Sequence, residues 1–168
     1  DNAVAQVVNM ETFKTFAESL IAIARATRLQ REKMVEARKE ELRREIVQRG
    51  RAGMVEHIAA LNKRLGGDYM PLVPADFGEA IKNKRNFDSM RDAVATTLAN
   101  AKIEASEKEV HIGKSLEILS EMAKDRKGLF LDAAQLVLKA HEDLRAVITA
   151  RIAADDDAIQ KRAEQAAE

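Results

Sequence analysis

The chain lacks cysteine and tryptophan, and it has only two prolines and 4% aromatic residues among its 168 positions. The absence of cysteine excludes a disulfide scaffold and any zinc or iron–sulfur site that thiolates would hold. An excess of charge of one sign is lacking as well, because 28 basic side chains are balanced by 28 acidic ones. The overall charge therefore gives no simple argument for a dedicated nucleic-acid or membrane binder.

Long hydrophobic runs are also missing. The longest apolar stretch, residues 17–26, is interrupted by Glu18 and Arg25. It falls far short of the roughly 20 apolar residues that a membrane-spanning helix needs. No break typical of a signal-peptide cleavage site follows it. We therefore expect no membrane-spanning segment and no membrane partner.

The residues that are abundant are helix formers, chiefly alanine, glutamate, lysine, arginine, leucine and methionine. Apolar residues recur three and four positions apart from Met10 to Ala24, which predicts one buried helix face. A second apolar row, from Met90 to Ala123, is close to a heptad repeat. These patterns predict two helices of similar length, over residues 12–49 and 89–127.

The segment between these two helices carries the chain-breaking residues. Gly50 and Gly53 predict a bend or an end of the first helix, with a short helix over residues 54–65 that Gly66 terminates. Both prolines lie in residues 68–74, which predicts an extended loop. Asp76 and Glu79 have the spacing of a capping box for one more short helix. We expect residues 50–88 to form a small helical head.

The predicted fold is all-α. Two long helices joined by a compact segment are packed most economically as an antiparallel, coiled-coil-like hairpin with the head at its turn. A further helix, beginning near Glu142, is expected to pack back along the pair. The prediction is thus a single elongated helical domain over residues 1–168.

A basic segment over residues 25–51 is the strongest candidate for a binding site, with ten positive side chains against five negative ones. An exposed basic helix can contact nucleic-acid phosphates or an acidic partner. The alternative is a solvated, ion-paired helix face, or a face that packs against the acidic last helix. The aromatic residues that single-strand binders use for base stacking are absent from the segment. The candidate contact residues are Arg28, Arg31, Arg38, Lys39, Arg43, Arg44, Arg49 and Arg51.

A second candidate surface is the apolar part of the head. Tyr69, Met70, Leu72 and Phe77 concentrate apolar bulk there and could form a partner-docking patch. The alternative is that these side chains form the small core that the head itself needs in order to fold.

Residue patterns that carry catalysis or metal binding are missing. His57, His111 and His141 form no metal-binding motif, and no serine lies in a nucleophile-elbow motif. Three consecutive aspartates at residues 155–157 point about 100° apart on a helix and so do not converge on one ion. We therefore expect no catalytic residues, metal, cofactor or small-molecule substrate, and a protein that is not an enzyme.

Two stretches carry a family resemblance: residues 80–94 with 101–105, and residues 129–139 with 142–144 and 150–153. Together they resemble uncharacterised helical proteins that bacteriophages and prophages encode near recombination or replication genes. The resemblance covers residues 80–153 and consists of helix caps and packing positions, so it transfers no functional residue. It implies a cytoplasmic protein of a bacterial host, with partners in DNA metabolism.

Two functions follow as hypotheses. The first is a helical interaction or scaffold protein that acts through protein–protein contacts along its long helices, with self-association expected. The second is a phage recombination or replication accessory factor that contacts nucleic-acid phosphates through residues 25–51.

Overall fold

A computed structural model describes residues 2–167 of the chain, and side chains from residue 10 to residue 166. Helices and their connections make up all of the described residues, which contain no strand, and the all-α prediction is confirmed. The elements in chain order are α1 (Asn2–Leu65), α2 (Phe77–Ile81), α3 (Phe87–Ala123), a 3₁₀ turn (Lys127–Leu129), α4 (Ala133–Leu136) and α5 (His141–Ala167).

The contacts divide the chain into two compact units between Ile46 and Val47. The first unit consists of the part of α1 up to Ile46. The second unit begins at Val47 and contains the end of α1 together with α2 to α5. The single elongated domain expected over residues 1–168 stays a prediction.

Helix α1 continues through Gly50 and Gly53, so the helix end and the separate short helix predicted there are wrong. A Cβ atom on Gly50 would lie 2.7 Å from Cγ1 of Val94, and one on Gly53 would lie 3.0 Å from Cδ2 of Leu98. The two glycines therefore allow α3 to approach the backbone of α1 closely. This packing offsets the cost of about 1 kcal/mol that glycine carries inside a helix.

The end of α1 agrees with the prediction. The helix stops at Leu65, and Gly66 follows with a φ of +77°, a left-handed conformation that suits glycine after a helix. The amide of Gly67 donates to the carbonyl of Asn62 at 3.2 Å, which closes the last turn.

The last turns of α1 and the first part of α3 lie side by side and run in the same direction. Gly50 faces Val94, Gly53 faces Leu98, and a Cβ atom on Gly113 would have the side chain of Leu65 as its nearest neighbour. The antiparallel direction predicted for the two long helices is therefore wrong. The physical reason is the connection over residues 66–86, which is long enough to return along α1 before α3 begins.

Residues 50–88, predicted as a separate head, are divided between the end of α1, a connection that contains α2, and the first two residues of α3. Residues 50–65 belong to α1, and residues 66–86 form the returning connection that contains α2. The side-chain amide oxygen of Asn62 accepts hydrogen bonds from the amides of Tyr69 and Met70 at 3.1 and 2.8 Å, which fixes the start of the loop. The predicted cap of α2 is confirmed, since Oδ1 of Asp76 accepts from the amide of Glu79 at 2.8 Å.

Helix α5 packs against the second half of α3, again in the same direction. Nε2 of His141 lies 3.3 Å from the carbonyl oxygen of His111, and Nη1 of Arg126, just beyond α3, donates to the carbonyl of Ile152 at 3.3 Å. The prediction that this helix runs back along the pair is therefore corrected: the connection between the helices makes the return. The buried side chains between them are Ile118, Ala123, Phe130, Leu136, Leu144 and Ile148.

Candidate interaction surface

The first unit exposes a row of large apolar side chains on one side of α1, which we call the α1 stripe. Helical spacing of three or four residues places these side chains on the same face. Each of them is at least half exposed, from 50% for Leu20 to 75% for Met10. The α1 stripe consists of Met10, Phe13, Phe16, Leu20 and Ile23.

The rest of this unit does not cover the α1 stripe. Between residues 10 and 41 every side chain except that of Ala17 is exposed. The periodicity of residues 10–24 predicted a buried face, and within the described chain that prediction is wrong. The pattern identified the face correctly as apolar, but periodicity alone does not show what covers it.

Half of the candidate cations of the basic segment pair with carboxylates of α1. Nε of Arg28 contacts Glu32 at 2.9 Å, and Nζ of Lys39 contacts Glu36 at 2.7 Å. Arg43 pairs with Glu40 in the same way. Each of these pairs joins residues three or four positions apart, where side chains on a helix meet. The hydrogen bond from Lys39, and its charge, lower the pKa of the Glu36 carboxyl.

Arg38 bridges two glutamates. Its Nη1 atom donates to Glu41 at 2.6 Å and to Glu45 at 3.2 Å. Hydrogen bonds and charge from Glu41, and then from Glu45, raise the pKa of the Arg38 guanidinium. Arg38 is thus committed to carboxylates of its own helix. These pairs support the ion-paired interpretation of the segment, although exposed pairs of this kind contribute little stability.

The remaining four cations of the candidate set are Arg31, Arg44, Arg49 and Arg51. All four are exposed, and none has a carboxylate within 4.0 Å among the residues that the structure describes. Arg49 and Arg51 fall in the second unit. Residues two apart on a helix point in nearly opposite directions, so these two do not form a common stripe. Arg31 and Arg44 are likewise about 140° apart around the axis of α1.

The predicted docking patch is not a continuous exposed surface. Phe77 is buried, against Gly50 and Val94, while Tyr69 and Met70 are half-buried. Leu72 alone points to solvent, with 93% of its surface exposed. For Phe77 the interpretation as a core residue is therefore the correct one.

The histidines and aspartates take part in packing and ion pairs. His111 and His141 stack with ring centroids 4.3 Å apart, and Nε2 of His57 lies 3.4 Å from Oγ of Ser106. Asp155 and Asp156 both contact the guanidinium of Arg126, at 3.6 and 2.5 Å. No cluster of three potential metal ligands occurs within the part of the chain that is described.

The described helices also include none with the length and apolar character required to cross a membrane. Comparison of the chain with known protein families, with curated proteins and with solved structures gives no match. The resemblance to bacteriophage and prophage proteins therefore stays a prediction.

Proposed function

We propose that the chain is a non-enzymatic helical interaction protein, and that it binds protein partners through the α1 stripe. The observation that supports the proposal is the exposure of five large apolar side chains on one face of a helix. Burial of each would contribute about 1.5–3 kcal/mol, so water-exposed rows of this kind are uncommon unless a partner covers them.

Comparison with the second unit strengthens the proposal. The same chain buries the apolar rows of α3 and α5, where Met90, Ile112, Leu144 and Ile148 have at most 1% of their surface exposed. Single exposed apolar residues are ordinary on protein surfaces, but a contiguous row is not. Amphipathic helices with such rows bind to apolar grooves or to other helices.

A photocrosslinking experiment tests the proposal. Benzoylphenylalanine replaces Leu20, in the α1 stripe, or Ala22, which is exposed on the opposite side of the same helix. In cells that produce the chain, irradiation is expected to join polypeptides to position 20 and not to position 22. Equal yields at the two positions, or no adduct at either, would contradict the proposal.

A second candidate function, contact with nucleic-acid phosphates, is favoured by the four exposed cations that lack a carboxylate partner among the described residues. Arg31, Arg44, Arg49 and Arg51 replaced together by glutamine should weaken binding of a labelled oligonucleotide at low salt and flatten its salt dependence. The matched control replaces Arg28, Arg38, Lys39 and Arg43 by glutamine. Because these charges are already paired, this control should weaken oligonucleotide binding less. Absence of binding by the unmodified chain at low salt would remove this candidate.

The remaining parts of the proposal rest on the resemblance over residues 80–153. They are that a bacteriophage or prophage encodes the chain, that it acts in the cytoplasm of a bacterial host, and that its partners belong to recombination or replication.

A further inference from the structure

We infer that the partner of the α1 stripe is a second copy of the chain, bound in the antiparallel direction over residues 10–26. In this arrangement Phe13 packs against Ile23 of the second copy, and Phe16 packs against Leu20 of the second copy. The inference rests on the proposed function and deepens it by naming the partner and its direction.

The first argument is the spacing of the α1 stripe. Phe13, Phe16, Leu20 and Ile23 are separated by three, four and three residues, which is the alternation of the a and d positions in a coiled coil. The next positions in this register are Thr27 and Gln30, which are polar. The apolar seam is therefore confined to residues 10–26, a length of about 25 Å. An antiparallel pair centred between Phe16 and Leu20 places each of these four large apolar residues against another of the four.

The positions that flank the seam permit close approach. In this register the e and g positions are Met10, Thr12, Ala17, Ser19, Ala24 and Ala26. None of them carries a charge, and all except Met10 are small. Two copies can therefore pack over residues 10–26 without removing a charged group from water.

The charges that follow the seam favour the antiparallel direction over the parallel one. In a parallel, in-register pair, each g position faces the e position five residues later in the second copy. Lys33 would then face Arg38, and Glu40 would face Glu45, so both charged pairs would be repulsive. The net positive segments after residue 25 would also lie side by side. The antiparallel pair directs these segments away from each other.

The apolar area is sufficient for a reversible dimer. Specific interfaces bury about 1,200 Å² or more in total, or about 600 Å² for each partner. Five large apolar side chains, each at least half exposed, supply an area of that order. Because this is the lower end of the range, we expect a dimer whose population depends on protein concentration.

Disulfide trapping tests the direction of the two helices in the dimer. Because the chain has no cysteine, only the introduced thiols can form a disulfide. In the antiparallel pair, residue 19 of one copy lies beside residue 19 of the other. Ser19→Cys alone should therefore give a disulfide-linked dimer on mild oxidation, and Ala22→Cys on the outer face should not. In a parallel pair, position 19 faces position 24 of the second copy. Crosslinking of a Ser19→Cys and Ala24→Cys mixture, without crosslinking of Ser19→Cys alone, would overturn the inference.

Light scattering over a wide concentration range tests the identity of the partner. The unmodified chain should change from monomer to dimer as concentration rises, whereas Phe16→Glu/Leu20→Glu should remain monomeric with unchanged helix content by circular dichroism. Thr15→Glu/Ala22→Glu, at two exposed positions on the opposite side of α1, is the matched control and should dimerise normally. An unmodified chain that is monomeric throughout overturns the inference. If photocrosslinks from position 20 to other polypeptides persist in that case, the proposed function stands, and if they are absent it fails as well.

Discussion

Arg151 and Asp132 form a two-point ion pair that joins α5 to the connection preceding α4. Nη1 and Nη2 of Arg151 donate to the two carboxylate oxygens of Asp132 at 2.6 and 2.7 Å, and Nη1 also donates to the carbonyl of Leu129 at 3.0 Å. The guanidinium carbon lies 5.7 Å from the centre of the Phe130 ring. One side chain thus contacts three residues of this connection, Leu129, Phe130 and Asp132.

Arg151→Lys is expected to destabilise the second unit even though the charge is kept. Lysine cannot donate two parallel hydrogen bonds to one carboxylate, nor lie flat against a ring as a guanidinium does. Urea unfolding followed by circular dichroism should show a lower midpoint with an unchanged slope. Arg145→Lys, on the same helix and exposed, is the control and should leave the midpoint where it is.

The same pair predicts a dependence of stability on acid pH. The hydrogen bond from Arg151 is the largest cause that lowers the pKa of the Asp132 carboxyl. A carboxyl with a lowered pKa in the folded state stabilises the protein above its unfolded pKa of about 3.9, and this contribution is lost as pH falls through the lower folded value. The difference in free energy of unfolding between the unmodified chain and Asp132→Asn should therefore be largest near neutral pH and decrease below about pH 4. A difference that stays constant down to pH 2 would show that the charge of Asp132 is not involved.

Gly50→Ala is expected to destabilise the chain, against the ordinary helix preference for alanine. A Cβ atom at this position would lie 2.7 Å from Cγ1 of Val94 and 2.8 Å from Cδ1 of Phe77, so the helices would have to separate or the core side chains to shift. Overpacking of this kind costs about 1–3 kcal/mol. Chemical denaturation gives the free energy of unfolding directly.

Gly113→Ala is the matched comparison, and we expect it to raise the free energy of unfolding. A Cβ atom on Gly113 would meet only Cδ2 of Leu65, at an ordinary contact distance of 3.9 Å. The higher helix preference of alanine should then stabilise the chain by up to about 1 kcal/mol. Two substitutions with the same effect would mean that α1 and α3 do not contact each other as described.

Alanine substitutions at two residues of the predicted docking patch should distinguish a core residue from a surface residue. Phe77→Ala is expected to lower the free energy of unfolding by about 3–5 kcal/mol, because it empties the space between α1 and α3. Leu72→Ala should change it by less than about 0.5 kcal/mol, because Leu72 is exposed. Thermal unfolding of both variants under one buffer condition makes the comparison. Similar losses for the two would place Leu72 in the core as well.

The sequence predicted those features that depend on local chemistry. The end of α1 follows from Gly66, whose left-handed backbone is costly for other residues, and the start of α2 follows from the side chain of Asp76. The class of the fold follows from composition and periodicity. Each of these signals acts within a few residues of the position that it determines.

Features that depend on distant parts of the chain could not be predicted in this way. Gly50 carries the same local signal whether it ends a helix or lies under Val94, and only the packing of α3 decides between them. The direction of α3 depends on how far residues 66–86 return along α1. The α1 stripe shows the related difficulty, since the spacing of Phe13 and Leu20 is the same for a buried face and for an exposed one.

The parallel course of the end of α1 with α3, and of α3 with α5, has a consequence for how the second unit folds. Helices joined by a tight turn align themselves from the turn outward, but helices joined by a returning connection close a large loop before any contact forms. The alignment of α1 with α3 therefore depends on discrete anchor points, namely Asn62 at the start of the loop and Phe77 near its middle. A shift of either anchor by one residue would slide the two helices past each other along their full shared length.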